Sequence, residues 1–216
     1  GGSIGSELVR NCLTFDPDLL ILLDQSEHNL FKIGRECDQS KHPVSFQPVL
    51  GDIRDKTLLH RVFASFQPDV VFHAAAYKHV PMQEEHPWEA ILTNIQGTLN
   101  LIDAPEDYGV NRFVLVSTDK AVNPTNIMGA TKRVAEKLIQ SKAIDSKVKY
   151  MAVRFGNVIG SSGSVIPTFQ EQIRNGGPIT ITDPKMQRYF MSISEAAQLI
   201  LQAGAMGAGG EIYVLD

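Results

Sequence analysis

An acid, an amine and a hydroxyl stand side by side at Thr118-Asp119-Lys120, directly after the apolar run that begins at Phe113. In a cleft that excludes water, a carboxyl and an amine can have pKa values displaced toward neutrality, as proton donors and acceptors require at working pH. Solvated loop charge is the alternative for an Asp-Lys pair. The position after a buried strand favours the catalytic interpretation.

A second group of candidates follows on a helical pattern. Met128 and Lys132 are four residues apart and therefore share one face of a helix that Asn126 can cap. Near a cofactor, Lys132 could hold the ribose of a nicotinamide, and the alternative is an exposed helix lysine.

The chain opens on a glycine-rich turn before another helical pattern. Bare backbone N–H groups at Gly2-Ser3-Ile4-Gly5 would meet a pyrophosphate at the positive end of that helix, although an ordinary capped turn has the same residues. Asp24 ends an apolar strand nineteen residues after Gly5. A carboxylate there accepts both hydroxyls of an adenosine ribose and repels a 2′-phosphate, so the expected cofactor is NAD rather than NADP.

Further along, Gly51-Asp52-Ile53 follows the next strand and has the pattern of an adenine contact. A plain turn before a helix capped by Asp55 explains the same residues.

Three apolar runs end in polar or small residues that we expect at one edge of a sheet. Ligands of open α/β sheets bind beyond the carboxyl ends of the strands, so the three endings predict one crevice. The small side chains after His73 would let a cofactor lie against the backbone. These endings are His73-Ala74-Ala75-Ala76, Ser117-Thr118-Asp119-Lys120 and Gly156-Asn157.

The elements that must carry these residues alternate between strand and helix. Near-continuous apolar strands separated by helical stripes predict a parallel sheet covered on both faces, the Rossmann-like doubly wound α/β fold. We expect a dinucleotide-binding domain over 1–160, its first strand upstream of Gly1, and part of a substrate lobe over 161–216 with a late strand returning to the core. Expected strands are 19–23, 45–50, 70–74, 113–117, 150–155 and 212–215, and apolar helical stripes include Val134, Leu138 and Ile139.

Composition excludes several classes of function. The formal charge is −4 and no basic run exceeds two residues, which disfavours nucleic acid and anionic membranes as partners. Two cysteines and six scattered histidines predict neither a disulfide framework nor a metal site. The apolar stretches are shorter than a membrane span and the two cysteines fit a reducing compartment, so we expect a soluble, cytoplasmic segment. Its expected partners are small molecules or other proteins.

The sequence resembles the extended short-chain dehydrogenase/reductases, and among them the CapD-like polysaccharide biosynthesis family of nucleotide-sugar 4,6-dehydratases. The resemblance covers essentially the whole chain, and its most specific segments are HAAAYKHVP at 73–81 and STDKAVNPTN at 117–126. It implies a UDP-N-acetylhexosamine substrate, UDP-N-acetylglucosamine in particular, and a 4-keto-6-deoxy product. It also implies a homo-oligomer and a parent chain anchored in the membrane.

The resemblance implies roles for the catalytic candidates. Thr118 would hydrogen-bond the sugar 4-oxygen, a neutral Lys120 would remove the hydrogen at carbon 5, and a protonated Asp119 would donate to the departing 6-hydroxyl. Most relatives carry Tyr-x-x-x-Lys, and Met128 occupies the tyrosine position here, as in the membrane-type subgroup. A thioether neither takes nor gives a proton, so the base for the 4-hydroxyl must lie elsewhere.

Further binding residues come from the same resemblance. Asn94 would lie beside the nicotinamide, Lys78 and His79 would face the sugar or its phosphates, and an arginine at position 188 would pair with the diphosphate. Asn157 and the segment from Ser164 would cover the uridine diphosphate. Two other hypotheses of function stay open. One is a nucleotide-sugar 4-epimerase, which needs no Asp-Lys pair, and the other is a dinucleotide-binding domain without catalysis.

Overall fold

The structure is a computed structural model that describes residues 1–161, 163, 165–181, 183–185 and 187–215. Each of the six expected strands is present, displaced by at most one residue at either end. Two short strands at 157–158 and 190–191 were not expected. The strands are β1 (Leu20–Asp24), β2 (Phe46–Leu50), β3 (Val70–His73), β4 (Arg112–Val116), β5 (Lys149–Arg154), β6 (Asn157–Val158), β7 (Phe190–Met191) and β8 (Ile212–Val214).

Helices fill the intervals between the strands. A π-helical turn at Ile91–Gln96 joins the fifth helix to the sixth, and a short 3-10 turn at Asp119–Ala121 follows β4. The helices are α1 (Ser3–Leu13), α2 (Glu27–Asp38), α3 (Lys56–Phe66), α4 (Val80–Glu85), α5 (Pro87–Ala90), α6 (Gly97–Asp103), α7 (Ile127–Ala143), α8 (Val165–Arg174) and α9 (Ile193–Met206).

All strand pairs among the described residues are parallel. The order β3-β4-β5-β8 forms one sheet, β1 pairs with β2 in a second, and β6 pairs with β7 in a third. The pairing of β8 with β5 confirms the late strand that returns to the core. The strand expected upstream of Gly1 and the domain boundary at residue 160 stay predictions.

The core lies on both faces of the four-stranded sheet. Along β4, Phe113 and Leu115 point to one face, where they pack with Ile139 of α7, and Val114 points to the other, where it packs with Ile200 of α9. This alternation is what strands buried on both sides require, and it confirms the doubly wound α/β fold. No helix of the described residues is long and apolar enough to cross a membrane.

Candidate active site

The glycine turn forms the mouth of α1 as expected. Gly2 is the N-cap, and because glycine has no side chain, no N-cap side chain accepts a hydrogen bond from the amides of the first turn. A methyl group built on Gly2 or on Gly5 would meet no atom within 4 Å, so open space lies over both. A helix N-terminus that has no side-chain cap and faces open space suits an anion such as a pyrophosphate.

Asp24 lies beside the same N-terminus of α1. Its Oδ2 is 2.8 Å from the backbone nitrogen of Gly1, and its Oδ1 accepts a 2.8 Å hydrogen bond from the backbone nitrogen of Ser26. Ser26 in turn caps α2. The structure therefore brings the predicted ribose carboxylate to the predicted pyrophosphate turn.

At the end of β2, the structure shows the turn and helix cap expected after the Gly51-Asp52-Ile53 segment, and the adenine contact stays a prediction. Asp55 caps α3 by accepting from the backbone nitrogen of Leu58, which confirms the cap. Burial opposes ionisation of Asp52, but hydrogen bonds from Arg54 outweigh it and lower the pKa of that carboxyl. The Ile53 side chain lies in the core, so any adenine contact there uses its backbone.

The alanine run after β3 has no regular structure and is held by Asn94. The Asn94 Oδ1 accepts from the Tyr77 backbone nitrogen at 2.8 Å, and Nδ2 donates to the Tyr77 carbonyl at 3.0 Å. The same Nδ2 also donates to the Thr131 hydroxyl of α7. Asn94 thus joins Tyr77, the residue that follows the Ala74–Ala76 run, to α7, and its place in a π-helical turn is typical of functional sites.

His73, the last residue of β3, is buried and hydrogen-bonds Thr98 of α6. Its Nε2 is 2.9 Å from the Thr98 hydroxyl oxygen, and because that hydroxyl donates to the Asn94 carbonyl, the imidazole donates to Thr98. Burial, together with the positive charge of Lys132, lowers the pKa of His73 to about 3. The imidazole is therefore neutral at physiological pH.

The three catalytic candidates after β4 contact one another. Lys120 Nζ lies 3.0 Å from Asp119 Oδ1, and the Thr118 hydroxyl donates to the same oxygen at 2.8 Å. The Asp119 backbone nitrogen donates to the Phe155 carbonyl, which fixes the turn to the end of β5.

The expectation that the pKa of Asp119 is displaced toward neutrality is wrong for this structure. Burial opposes ionisation, but the hydrogen bonds from Lys120 and Thr118 prevail and lower the pKa of Asp119. The Asp119 side chain is 38% exposed and the Lys120 side chain is 29% exposed, so water still reaches the pair. An ionised carboxylate beside an ammonium is the resting arrangement.

The first turn of α7 packs directly on these residues. Asn126 caps the helix by accepting from the Gly129 backbone nitrogen, as predicted. A methyl group at Gly129 would lie 2.4 Å from the Lys120 carbonyl oxygen, so glycine allows the helix to approach the catalytic turn.

Lys132 lies deep on the inner face of α7. It is 6% exposed, and burial lowers its pKa to about 8 against the opposing influence of Glu136. A cation that is easily deprotonated at a cofactor crevice is a typical functional group. Met128, one turn earlier, is also buried, so the position that usually carries tyrosine faces the same interior.

The expected apolar stripe of α7 was partly wrong. Val134 is 41% exposed, whereas the inner face consists of Met128, Gly129, Thr131, Lys132, Ala135, Glu136 and Ile139. Three of these seven residues are polar or charged, which is why an apolar pattern did not reveal the face.

The fully buried Glu136 was missed by the sequence analysis. Its carboxylate accepts from Arg154 at 2.7 and 2.6 Å, from the Ser117 hydroxyl at 2.6 Å and from Arg133 at 3.1 Å. Burial opposes its ionisation, but the bonds from Arg154 and Ser117 lower its pKa. The available signal was its position one turn after Lys132, since both then face the sheet.

The predicted substrate residues are partly brought together. A methyl group on Gly163 would lie 2.5 Å from the His79 ring, so the segment after β6 contacts the loop that carries Lys78 and His79. Burial lowers the pKa of Lys78. The Asn157 backbone nitrogen donates to the carbonyl of residue 189, which places β6 beside the strand that follows Arg188.

Two substrate predictions receive no geometric support. The Arg188 guanidinium is exposed and donates to the neighbouring Gln187 carbonyl. Ser164 lies outside the described residues.

Within the described residues, no group of three or more His, Cys, Asp or Glu side chains is arranged to hold a metal ion.

The whole chain, residues 1–216, matches the family described as polysaccharide biosynthesis protein. The capsular polysaccharide biosynthesis protein CapD of Staphylococcus aureus is 52% identical over 100% of this chain, which spans 36% of that protein. An inverting UDP-N-acetylglucosamine 4,6-dehydratase of Campylobacter jejuni is 36% identical over 99% of the chain and 64% of its own length. A UDP-glucose 4-epimerase of Rickettsia canadensis is 37% identical over 99% and 63%.

Solved structures agree with this relationship. The structure of Pen from Bacillus thuringiensis matches with a TM-score of 0.92 and 39% identity, covering 100% of this chain and 66% of that one. The dTDP-glucose 4,6-dehydratase DesIV from Streptomyces venezuelae, solved with NAD bound, matches with a TM-score of 0.87 and 26% identity over 99% and 72%. The fold expected from the sequence is confirmed.

Proposed function

Because the chain belongs to the polysaccharide biosynthesis protein family, we propose that it is the catalytic region of an NAD-dependent nucleotide-sugar 4,6-dehydratase acting on UDP-N-acetylglucosamine. The observation that carries the proposal is the contact of Lys120 with Asp119 at 3.0 Å, next to the Thr118 hydroxyl, beyond the end of β4. Removal of water from a sugar requires a base and an acid close together, and this pair supplies both.

The residues at the mouth of α1 fit NAD. The open space over Gly2 and Gly5 would admit the pyrophosphate, the amides of Ser3, Ile4 and Gly5 would face it, and the Asp24 carboxylate would accept the ribose hydroxyls. A nicotinamide held there would supply the hydride acceptor for sugar carbon 4 and the hydride donor for carbon 6.

The Asp119–Lys120 pair can reach its reactive form without gaining or losing protons. An ion pair and a neutral pair contain the same number of protons and differ by the transfer of one proton from Lys120 to Asp119. A bound sugar that displaces water from these partly exposed side chains favours the neutral pair, because burial penalises both charges.

Each member of the neutral pair then has one task. The proton of the 4-hydroxyl passes to solvent as its hydride leaves. The Lys120 amine accepts the proton that leaves carbon 5, which the 4-keto group acidifies, and returns it to carbon 5 once carbon 6 has regained the hydride. The Asp119 carboxyl protonates the departing 6-hydroxyl, which leaves as water, and the carboxylate then regains one proton from solvent. The Thr118 hydroxyl hydrogen-bonds the 4-oxygen. Lys132 holds the nicotinamide ribose, and Asn94 keeps the Ala74–Ala76 segment in place beside it.

The proposal extends to the surroundings of the site. We assign Lys78, His79, Asn157, Ser164 and Arg188 to the nucleotide sugar, and the 161–216 region to the substrate lobe. Nucleotide sugars are made in the cytoplasm, so this is where we place the reaction, with the parent chain anchored in the membrane and assembled as a homo-oligomer.

A nucleotide-sugar 4-epimerase is the second candidate, and the similarity to the Rickettsia protein named UDP-glucose 4-epimerase supports it. Epimerisation inverts carbon 4 and has no elimination step, so it gives no task to an acid beside a base. The Asp119–Lys120 contact therefore favours the dehydratase.

Product analysis separates the candidates. The full-length protein is incubated with UDP-N-acetylglucosamine and NAD⁺, and the products are analysed by mass spectrometry and NMR. A dehydratase gives a 4-keto sugar lighter by one water, whereas an epimerase gives an isomer of unchanged mass. A chain that binds NAD⁺ and converts neither this sugar nor UDP-glucose would be a dinucleotide-binding domain and would refute the proposal.

A further inference from the structure

Glu136 holds a charged position that no catalytic step described above uses. Its side chain is fully buried, and both oxygens accept hydrogen bonds from cationic groups. An ionised carboxylate is costly to bury, and it persists here because Arg154 binds it with two nitrogens and the Ser117 hydroxyl completes the set at 2.6 Å.

The donors come from three elements that meet at the active site. Ser117 follows β4 and directly precedes Thr118, and Arg154 is the last residue of β5. The next residue, Phe155, accepts the backbone hydrogen bond of Asp119. One carboxylate therefore connects the catalytic turn, the end of β5 and the helix that carries Lys132.

We propose that Glu136 is a positioning residue that fixes Lys132 and the Thr118–Lys120 turn relative to each other and balances the charge of the lysine. The role rests on the proposed function, because it presumes that Lys132 faces a bound cofactor. Glu136 lies one helical turn after Lys132 on the inner face of α7, so the two point the same way.

The proposal predicts the direction in which the pKa of Lys132 changes when the negative charge of Glu136 is removed. The titratable groups that influence it are Glu136 on its own helix and His73 at the end of β3, and His73 is neutral. Arg154 and Arg133 face the same carboxylate. If Glu136 became neutral, Lys132 would lose the negative charge that opposes the effect of its burial, and its ammonium form would be less stable.

The test uses Glu136→Gln in the full-length protein without cofactor or substrate. The rate of acetylation of each lysine is measured against pH by peptide mass spectrometry, because only the neutral amine reacts. The wild-type Lys132 is expected to titrate near pH 8. In the variant its midpoint should fall by about one pH unit or more, since an opposite charge nearby shifts a pKa by ~1–3 units.

The control is built into the sample. Lys137 and Lys142 lie on the same helix with exposed or half-buried side chains, and their profiles should be the same in both proteins. Glu106→Gln is the matched variant, since it removes a carboxylate paired with Lys142 at 3.6 Å at the far end of α7. It should leave the Lys132 midpoint in place. An unchanged Lys132 midpoint in Glu136→Gln would overturn the proposal.

Two further variants keep the proposal testable if Glu136→Gln does not fold. Arg133→Gln removes a partly exposed cation from the same carboxylate and should raise the Lys132 midpoint. Glu136→Asp retains the charge and should keep the midpoint near the wild-type value. A midpoint that falls in Arg133→Gln would contradict the charge balance.

The same proteins distinguish this inference from the proposed function. If the wild type makes no 4-keto product, the dehydratase proposal fails, while the acetylation profiles still report on Glu136 and Lys132. If the wild type makes the product and Glu136→Gln leaves both the midpoint and the pH profile of turnover unchanged, the dehydratase stands and the positioning role is wrong.

Discussion

At the scale of single residues, the active site depends on one hydrogen-bonded pair. The sequence indicated these two residues, because Asp119 and Lys120 are adjacent and follow a buried strand after only Ser117 and Thr118. Their protonation could not be predicted, since a pKa depends on how far each group is buried and on what it contacts. The structure gives an ion pair with the pKa of Asp119 lowered, and the proposed catalytic form requires transfer of one proton between two atoms that are 3.0 Å apart.

Removing either partner should stop elimination without removing the cofactor. Lys120→Ala and Asp119→Ala are each expected to lower kcat by ~10²–10⁴-fold, the usual contribution of a positioned acid or base. Affinity for NAD⁺, measured by calorimetry, should stay near the wild-type value because neither residue lies at the mouth of α1. Lys142→Ala, which removes a lysine from a surface ion pair, is the control. Near-normal turnover in either catalytic variant would refute the assignment.

At the scale of elements, the site depends on how closely α7 approaches the turn after β4. The helix and its Asn126 cap were predictable because capping and period are local properties of the sequence. The buried face of α7 was not, because Lys132 and Glu136 lie on it and charged residues are normally expected on the solvent side. The π-helical turn that carries Asn94 likewise has no local sequence signal, and only the backbone conformation of the folded chain reveals it.

The close approach of α7 predicts the effect of Gly129→Ala. The added methyl group would lie 2.4 Å from the Lys120 carbonyl oxygen, so the helix or the catalytic turn must move. We expect a loss of stability of ~1–3 kcal/mol, typical of overpacking, together with a lower kcat. Urea denaturation and turnover measurements test both.

Gly34→Ala is the matched control for a helix glycine. A methyl group there would lie at an ordinary 3.6 Å from Phe46, and alanine has the better helix propensity, so unchanged or raised stability is expected. Equal effects of the two substitutions would contradict the role given to Gly129.

At the scale of the whole molecule, the fold was largely predictable and the late segment was not. Apolar runs identified the six expected strands, most clearly β4 and β5, because strands buried on both faces admit few polar residues. The strands β6 and β7 have two residues each, which is too short for any periodicity. They pair where the segment around Tyr189 lies close to Gly156. Contacts between residues far apart in sequence leave no local pattern.

The buried histidine at the end of β3 predicts how stability depends on pH. His73 has a pKa of about 3 in the folded protein, below its unfolded value near ~6.5, so the unfolded chain binds a proton that the folded chain does not. Its contribution to stability is complete above the unfolded pKa and is lost as pH falls toward 3. The loss should reach ~3 kcal/mol near pH ~4.

Urea denaturation of the full-length protein at a series of pH values measures this dependence. His73→Gln keeps a donor for the Thr98 hydroxyl and has no titrating group, so stability should fall less steeply between pH ~6.5 and pH ~4 than in the wild type. Identical slopes in the two proteins would show that His73 does not cause the acid sensitivity.

The most direct test of the dehydratase uses UDP-N-acetylglucosamine deuterated at carbon 4, incubated with the full-length protein and NAD⁺. If Thr118, Asp119 and Lys120 act on a sugar whose hydride is returned within the same site, NMR will find the deuterium at carbon 6 of a 4-keto-6-deoxy product. Deuterium that remains at carbon 4 of an epimerised sugar, or a substrate recovered unchanged alongside bound NAD⁺, would contradict the account.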